Sequence, residues 1–120
     1  MDDKMIASAF PVKHTVKEFS IKMEENKQKN NSALPVKVTA NIKTFSGDKY
    51  VLETRFFVDD KKNGLFIDVV LLTDIVGSGA FTTVRDLIHK TVVPMAVSEI
   101  EGVIARCSRA MGNPLYIDRN

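Results

Sequence analysis

Apolar and polar residues alternate with period two through the first two-thirds of the chain, and the period then changes to that of a helix. Val12, His14 and Val16 fall on one face; the alternation then slips, and Phe19, Ile21 and Met23 resume it one residue late. An extra residue near Lys17–Glu18, a β-bulge that bends and twists a strand, is the simple cause. Two consecutive short strands give the same pattern. Glu24–Ser32 is polar and aperiodic, which predicts a long solvated loop. Beyond it Val36, Val38, Ala40 and Ile42 face a core while Lys37, Thr39, Asn41 and Lys43 face water, the alternation of an antiparallel sheet with one wet side.

Phe45–Lys49 predicts a hairpin connection. After it Tyr50, Leu52, Thr54, Phe56 and Val58 share one face, and Val51, Glu53, Arg55 and Phe57 take the other. Asp59–Gly64 predicts a second hairpin turn, with Asn63-Gly64 the residues most tolerant of positive φ. Leu65–Ile75 is apolar on both faces apart from Asp68 and Asp74, the pattern of a strand at a sheet centre or an interface. Val76-Gly77-Ser78-Gly79 breaks it.

A short helix is expected over Thr83–Val92, with Thr83 and Asp86 spaced as a capping box and Phe81, Val84, Leu87, Ile88 and Val92 facing inward. Pro94 is expected to end or redirect it and to open a long helix, Val93–Met111, closed by Gly112-Asn113-Pro114. Val93, Val97, Ile100, Ile104, Cys107 and Met111 form its apolar stripe; Ala96, Val103 and Ala110 widen it, and Ser98, Gly102 and Ala105 make a line of small residues. A helix on one sheet needs an apolar stripe of only about 100°. The excess predicts a second copy of the chain against Val97, Ser98, Gly102 and Ala105. Leu115–Asn120 is expected to lie extended.

Four strands followed by a short and a long helix predict the α+β class, a four-stranded antiparallel sheet with both helices packed on one face. Residues 1–11 are expected to be a flexible arm and 12–120 a single domain. The 120 residues suit that size.

Composition narrows the function. A net charge of +2 lacks the basic footprint of a dedicated nucleic-acid binder. The single cysteine, Cys107, forms no intramolecular disulfide and agrees with a reducing cytoplasm. MDDKMIASAF carries two acids and no long apolar run, unlike a secretory signal. No apolar run approaches the roughly 18 residues of a membrane span.

Catalytic, metal and cofactor residues are not expected. His14 and His89 lie far apart without a third ligand at a recognisable spacing. No serine has a nucleophile-elbow context. The Gly-Ser-Gly after the fourth strand lacks the Gly-Lys-Ser/Thr ending of a phosphate loop. Asp68 and Asp74 are the only carboxylates whose surroundings could raise a pKa, and edge or interface roles explain them better. Lys22, Lys37 and Lys43 make a mildly basic wet face without interleaved aromatics, a weak nucleic-acid signal.

Pro94, Ala96, Ile100, Gly112, Pro114 and Leu115 carry a family likeness. A strand ending in Gly-rich sequence, a short helix, then a long helix opened by Pro-x-Ala and closed by Gly-x-Pro-Leu resembles the SecB-type protein-export chaperones, and Val12–Ile117 can be laid onto that fold. Met95 stands where the family has an aromatic, and Val97 and Ser98 where it has Arg-Glu. The resemblance implies a SecB-like domain, a homodimer or homotetramer built through the long helices, and ATP-independent binding of unfolded or extended polypeptide segments. The family docks an export motor ATPase through an acidic sheet face. Lysines stand on the wet face here, so that partner is not carried over.

The expected function is therefore a cytoplasmic, non-enzymatic SecB-like chaperone or adaptor, without membrane insertion or nucleic-acid binding. Phe10, Phe19, Ile21, Leu34, Phe45, Tyr50 and Phe57 are its expected polypeptide-binding residues. The alternative is a small regulatory or structural adaptor with one cognate folded partner.

Overall fold

The computed structural model describes residues 6–24 and 35–110. The expected helix stop at Gly112-Asn113-Pro114, the extended tail, most of the Glu24–Ser32 loop and Leu34 lie outside them. Strands β1 (Ser8–Met23), β2 (Val36–Ser46), β3 (Lys49–Asp60) and β4 (Leu65–Ser78) form one antiparallel sheet in the order β1-β4-β3-β2. Three hairpin-linked strands thus lie side by side, and β1 joins beside β4 in Greek-key fashion. The class is α+β, as the order of strands and helices predicts.

Turn chemistry sets the two hairpins. Ser46 pairs with Lys49 across Gly47-Asp48, and Gly47 has φ +62° while Asp48 does not take a positive φ, the φ pattern of a type II′ turn. In the second turn Gly64 has φ +64°. There the Asn63 side-chain amide donates to Asp60 Oδ2 at 2.6 Å and fixes the loop.

β1 is bulged twice. The pairing with β4 shifts between Val16 and Glu18, making Lys17 the extra residue, and again between Pro11 and Lys13 at Val12. The first bulge matches the slip in the alternation. The second restores the phase of the residues before it, so Pro11 and Ala9, not Val12, lie on the row of His14 and Val16. The strand also begins at Ser8, so Ser8–Pro11 of the expected arm are sheet.

The helix is one continuous element where two were expected. An α-helical turn, α1 (Phe81–Leu87), runs into a π-helical segment, Ile88–Val92, and then into α2 (Val93–Ala110). Pro94 inside a regular helix removes an i→i−4 bond and its ring collides with the carbonyl four residues back. The π-helical turn opens the ladder just before it: Val93 N–H donates to Ile88 O, five residues back. Pro94 is thereby accommodated without breaking the helix. The expected capping box is absent. The helix starts at Phe81, the N-cap is Ala80, and no side chain caps it.

Two apolar clusters hold helix and sheet together. Phe56, Val58, Leu65, Ile67, Val69 and Leu71 meet Ala96, Val97, Ile100 and Ile104 under α2. Tyr50, Leu52 and Ile75 meet Val84, Ile88 and Val92 at the other end. Each fully buried aliphatic side chain contributes about 1.5–3 kcal/mol. Thr54 and Thr73, both wholly buried, stand on the same face of the central strands. The two apolar faces of β4 reflect its central position between β1 and β3.

Candidate polypeptide-binding and association surfaces

The helix is narrower than the sheet. Its core contacts centre on β3 and β4, and the outer strands carry large apolar side chains past its cover. On β1, Val16 pairs with Leu71 and Phe19 with Val69, so both point to the helix side, where they remain 43% and 38% exposed. On β2, Val38 pairs with Phe56 and is 40% exposed on the same side. Two apolar flanks thus run along β1 and β2, the outer strands of the sheet among the described residues.

An aromatic cluster closes the β2 flank at the first hairpin. Phe45 stacks on Tyr50 with centroids 4.8 Å apart and lies 4.9 Å from Phe81. Phe45 and Phe81 are partly exposed, whereas Tyr50 beneath them belongs to the core. Phe81 joins this surface instead of turning fully inward, because the helix begins two residues earlier than the capping box implied. A sequence signal for it was present: Ala80 and Phe81 follow directly on the Gly79 turn.

The opposite, open face of the sheet is a lattice of ion pairs. Arg55 donates from Nε and Nη2 to the two carboxylate oxygens of Asp68 at 2.8 and 2.7 Å. This bidentate fork raises the Arg55 pKa, first through the hydrogen bond and then through the carboxylate's charge. Lys17 and Lys43 both reach Glu53, at 3.2 and 3.8 Å. Phe57 and Phe66 meet edge to face, with Arg55 over the first ring and Lys22 over the second. The face read as mildly basic is thus balanced around Glu53 and Asp68. Asp68 has a structural partner there, and Asp74 is exposed.

The expected binding residues do not form one patch. Phe19 and Ile21 share the β1 flank, with Ile21 packed partly into the core. Phe45 and Tyr50 share the aromatic cluster. Phe10 pairs with Val76 on the open face, 64% exposed, and Phe57 lies toward the other end of that face. Leu34 is outside the described residues. Val38, Val16 and Phe81 were missed because alternation assigns a residue to a face without telling how far a helix covers it.

The expected association residues also divide. Val97 is buried against the sheet, while Ser98 is exposed and Gly102 and Ala105 are half-buried. Met95, 52% exposed, lies beside Pro94, Ser98 and Glu99 around a shallow open depression. Val97 is a core residue because it lies on the Val93–Ile100–Ile104 row of the helix.

His14 Nδ1 lies 2.8 Å from Thr73 Oγ1, a bond that satisfies the buried hydroxyl. His14 thus has a structural partner. Among the described residues no group of three or more His, Cys, Asp or Glu could hold a metal ion, and no helix is long and apolar enough to cross a membrane. Cys107 is a half-buried free thiol. No protein-family model matches the chain, and no curated protein matches it.

Proposed function

We propose that this chain is a SecB-like, ATP-independent chaperone or adaptor that holds unfolded or extended polypeptide segments as a homo-oligomer. One observation carries the reading: large apolar side chains remain exposed on both helix-side flanks of the sheet, each on a strand that is outermost among the described residues. An extended segment laid there can add backbone hydrogen bonds to the edge while alternate side chains settle on Val16 and Phe19, or on Val38 and Phe45. The reading involves no bond-making step, and a cytoplasmic setting suits the lone thiol of Cys107.

Light scattering from a denaturant-unfolded test protein, diluted with and without this chain in the absence of ATP, tests it. Suppressed aggregation near stoichiometric amounts is the expected result. No suppression, with the fold intact by circular dichroism, overturns it and leaves the adaptor with one folded partner.

A further inference from the structure

The two outer strands of the sheet guard their edges by different means. β1 does so by shape: Pro11 lacks an N–H, and the register with β4 breaks at Val12 and Lys17. β2 keeps an unbroken register with β3 from Val36 to Ile42, between Pro35 and the irregularity at Lys43. Its guards over that run are charges. Lys37 is exposed and has no ion-pair partner among the described residues. Lys43 shares Glu53 with Lys17 and keeps its side chain 53% exposed. No acid stands on β2. The acids of the sheet's inner strands are Glu53, Asp59 and Asp60 on β3 and Asp68 and Asp74 on β4. A guard of shape turns away every strand, whereas a guard of charge turns away only a strand of its own sign.

We infer that the polypeptides held on the β2 flank are acidic amphipathic segments, extended stretches with apolar residues at alternate positions and Asp or Glu between them. The inference rests on the proposed holding function and names its client class. A segment paired to β2 sends successive side chains to opposite sides of the sheet. Those on the helix side meet the row Val36, Val38, Ala40 and Ile42, where Val38 is 40% exposed. Those on the open side stand across from Lys37, Thr39, Asn41 and Lys43. Opposite charges directly across a strand pair attract, and like charges destabilise it. An acid across from Lys37 gives that lysine the partner it lacks, while a lysine or arginine there is repelled. The same side chain that keeps basic strands off the edge thus admits acidic ones.

Fluorescence anisotropy of two labelled synthetic peptides, titrated with the full chain, tests the preference. Both peptides carry Val and Phe at alternate positions, and they differ only in having Glu or Lys between them. The Glu peptide is expected to bind about tenfold more tightly at low salt. The ratio should fall toward one at high salt. Lys37→Glu is expected to abolish the preference with the circular dichroism unchanged, since the residue is exposed. Lys13→Glu makes the same change of charge on β1 and should leave the ratio as it is, which separates pairing at β2 from attraction by the net charge.

Equal binding of the two peptides overturns the inference. So does a preference that survives Lys37→Glu, or one that Lys13→Glu moves as far. Failure of both peptides to bind overturns it as well, and the aggregation assay then separates the two readings: suppression that persists leaves the holding function standing, and suppression that is absent removes both.

Discussion

Val84 Cγ1 lies 2.7 Å from the point where a Cβ on Gly77 would sit, and the Tyr50 ring lies 2.9 Å from it. Gly77, near the end of β4, thus lets the start of the helix pack directly on the sheet. Both neighbours are buried and packed from other sides, so neither can withdraw. Gly77→Ala is expected to destabilise the fold by about 1–3 kcal/mol through overpacking. Gly47→Ala, where nothing crowds the added carbon but φ is +62°, should cost about 1–2 kcal/mol from the backbone alone. Urea midpoints of the two variants check both figures.

The two buried threonines should respond oppositely to the same substitution. Thr54 Oγ1 is fully buried without a hydrogen-bond partner, so it bears a desolvation cost with no return. Thr54→Val removes the unsatisfied hydroxyl at constant shape and is expected to stabilise by about 1 kcal/mol. Thr73→Val breaks the bond to His14 and strands the ring's nitrogen, so it should destabilise by a similar amount. Thermal melts of the pair at neutral pH decide it.

The core under α2 offers a sharper contrast. Ile100 is fully buried between β3 and β4, and Met95 on the outer side of the same helix is 52% exposed. Ile100→Ala should cost about 2–5 kcal/mol, the transfer of the lost carbons plus the cavity they leave. Met95→Ala should stay within about 0.5 kcal/mol, as surface substitutions do. Equal losses in denaturant titrations would mean that Met95 is covered in solution by another chain.

Most of the sheet was legible because its side-chain period is two and one face is buried. Tyr50, Leu52, Thr54, Phe56 and Val58 lie on one buried row as their spacing implies, and the slip near Lys17 is a bulge. The bulge at Val12 was not legible, because Val12 itself continues the apolar alternation; only the pairing with β4 reveals Pro11 and Lys13 as flanking an extra residue. Pro94 misled because a proline usually marks a boundary, and a π-helical turn is a property of the backbone ladder with no residue signature. At the surfaces, spacing groups Phe19 and Phe45, which are exposed on the helix side, with Tyr50, which is core, and Phe57, which lies on the open face. How far a helix overhangs a sheet depends on packing that no alternation encodes.

The flanks and the open face give opposite expectations for client holding. Phe19→Ser removes an exposed ring from the β1 flank, and Phe45→Ser removes the outermost ring of the aromatic cluster. Neither side chain is part of the buried core, so circular dichroism should be unchanged while aggregation suppression falls severalfold. Phe57→Ser acts on the ion-paired open face, where Phe57 packs on Phe66 and under Arg55. It should leave suppression unaltered and lower stability modestly. If Phe57→Ser abolished suppression while the two flank variants retained it, clients would bind the open face, and the flanks beside β1 and β2 would lose their assigned role.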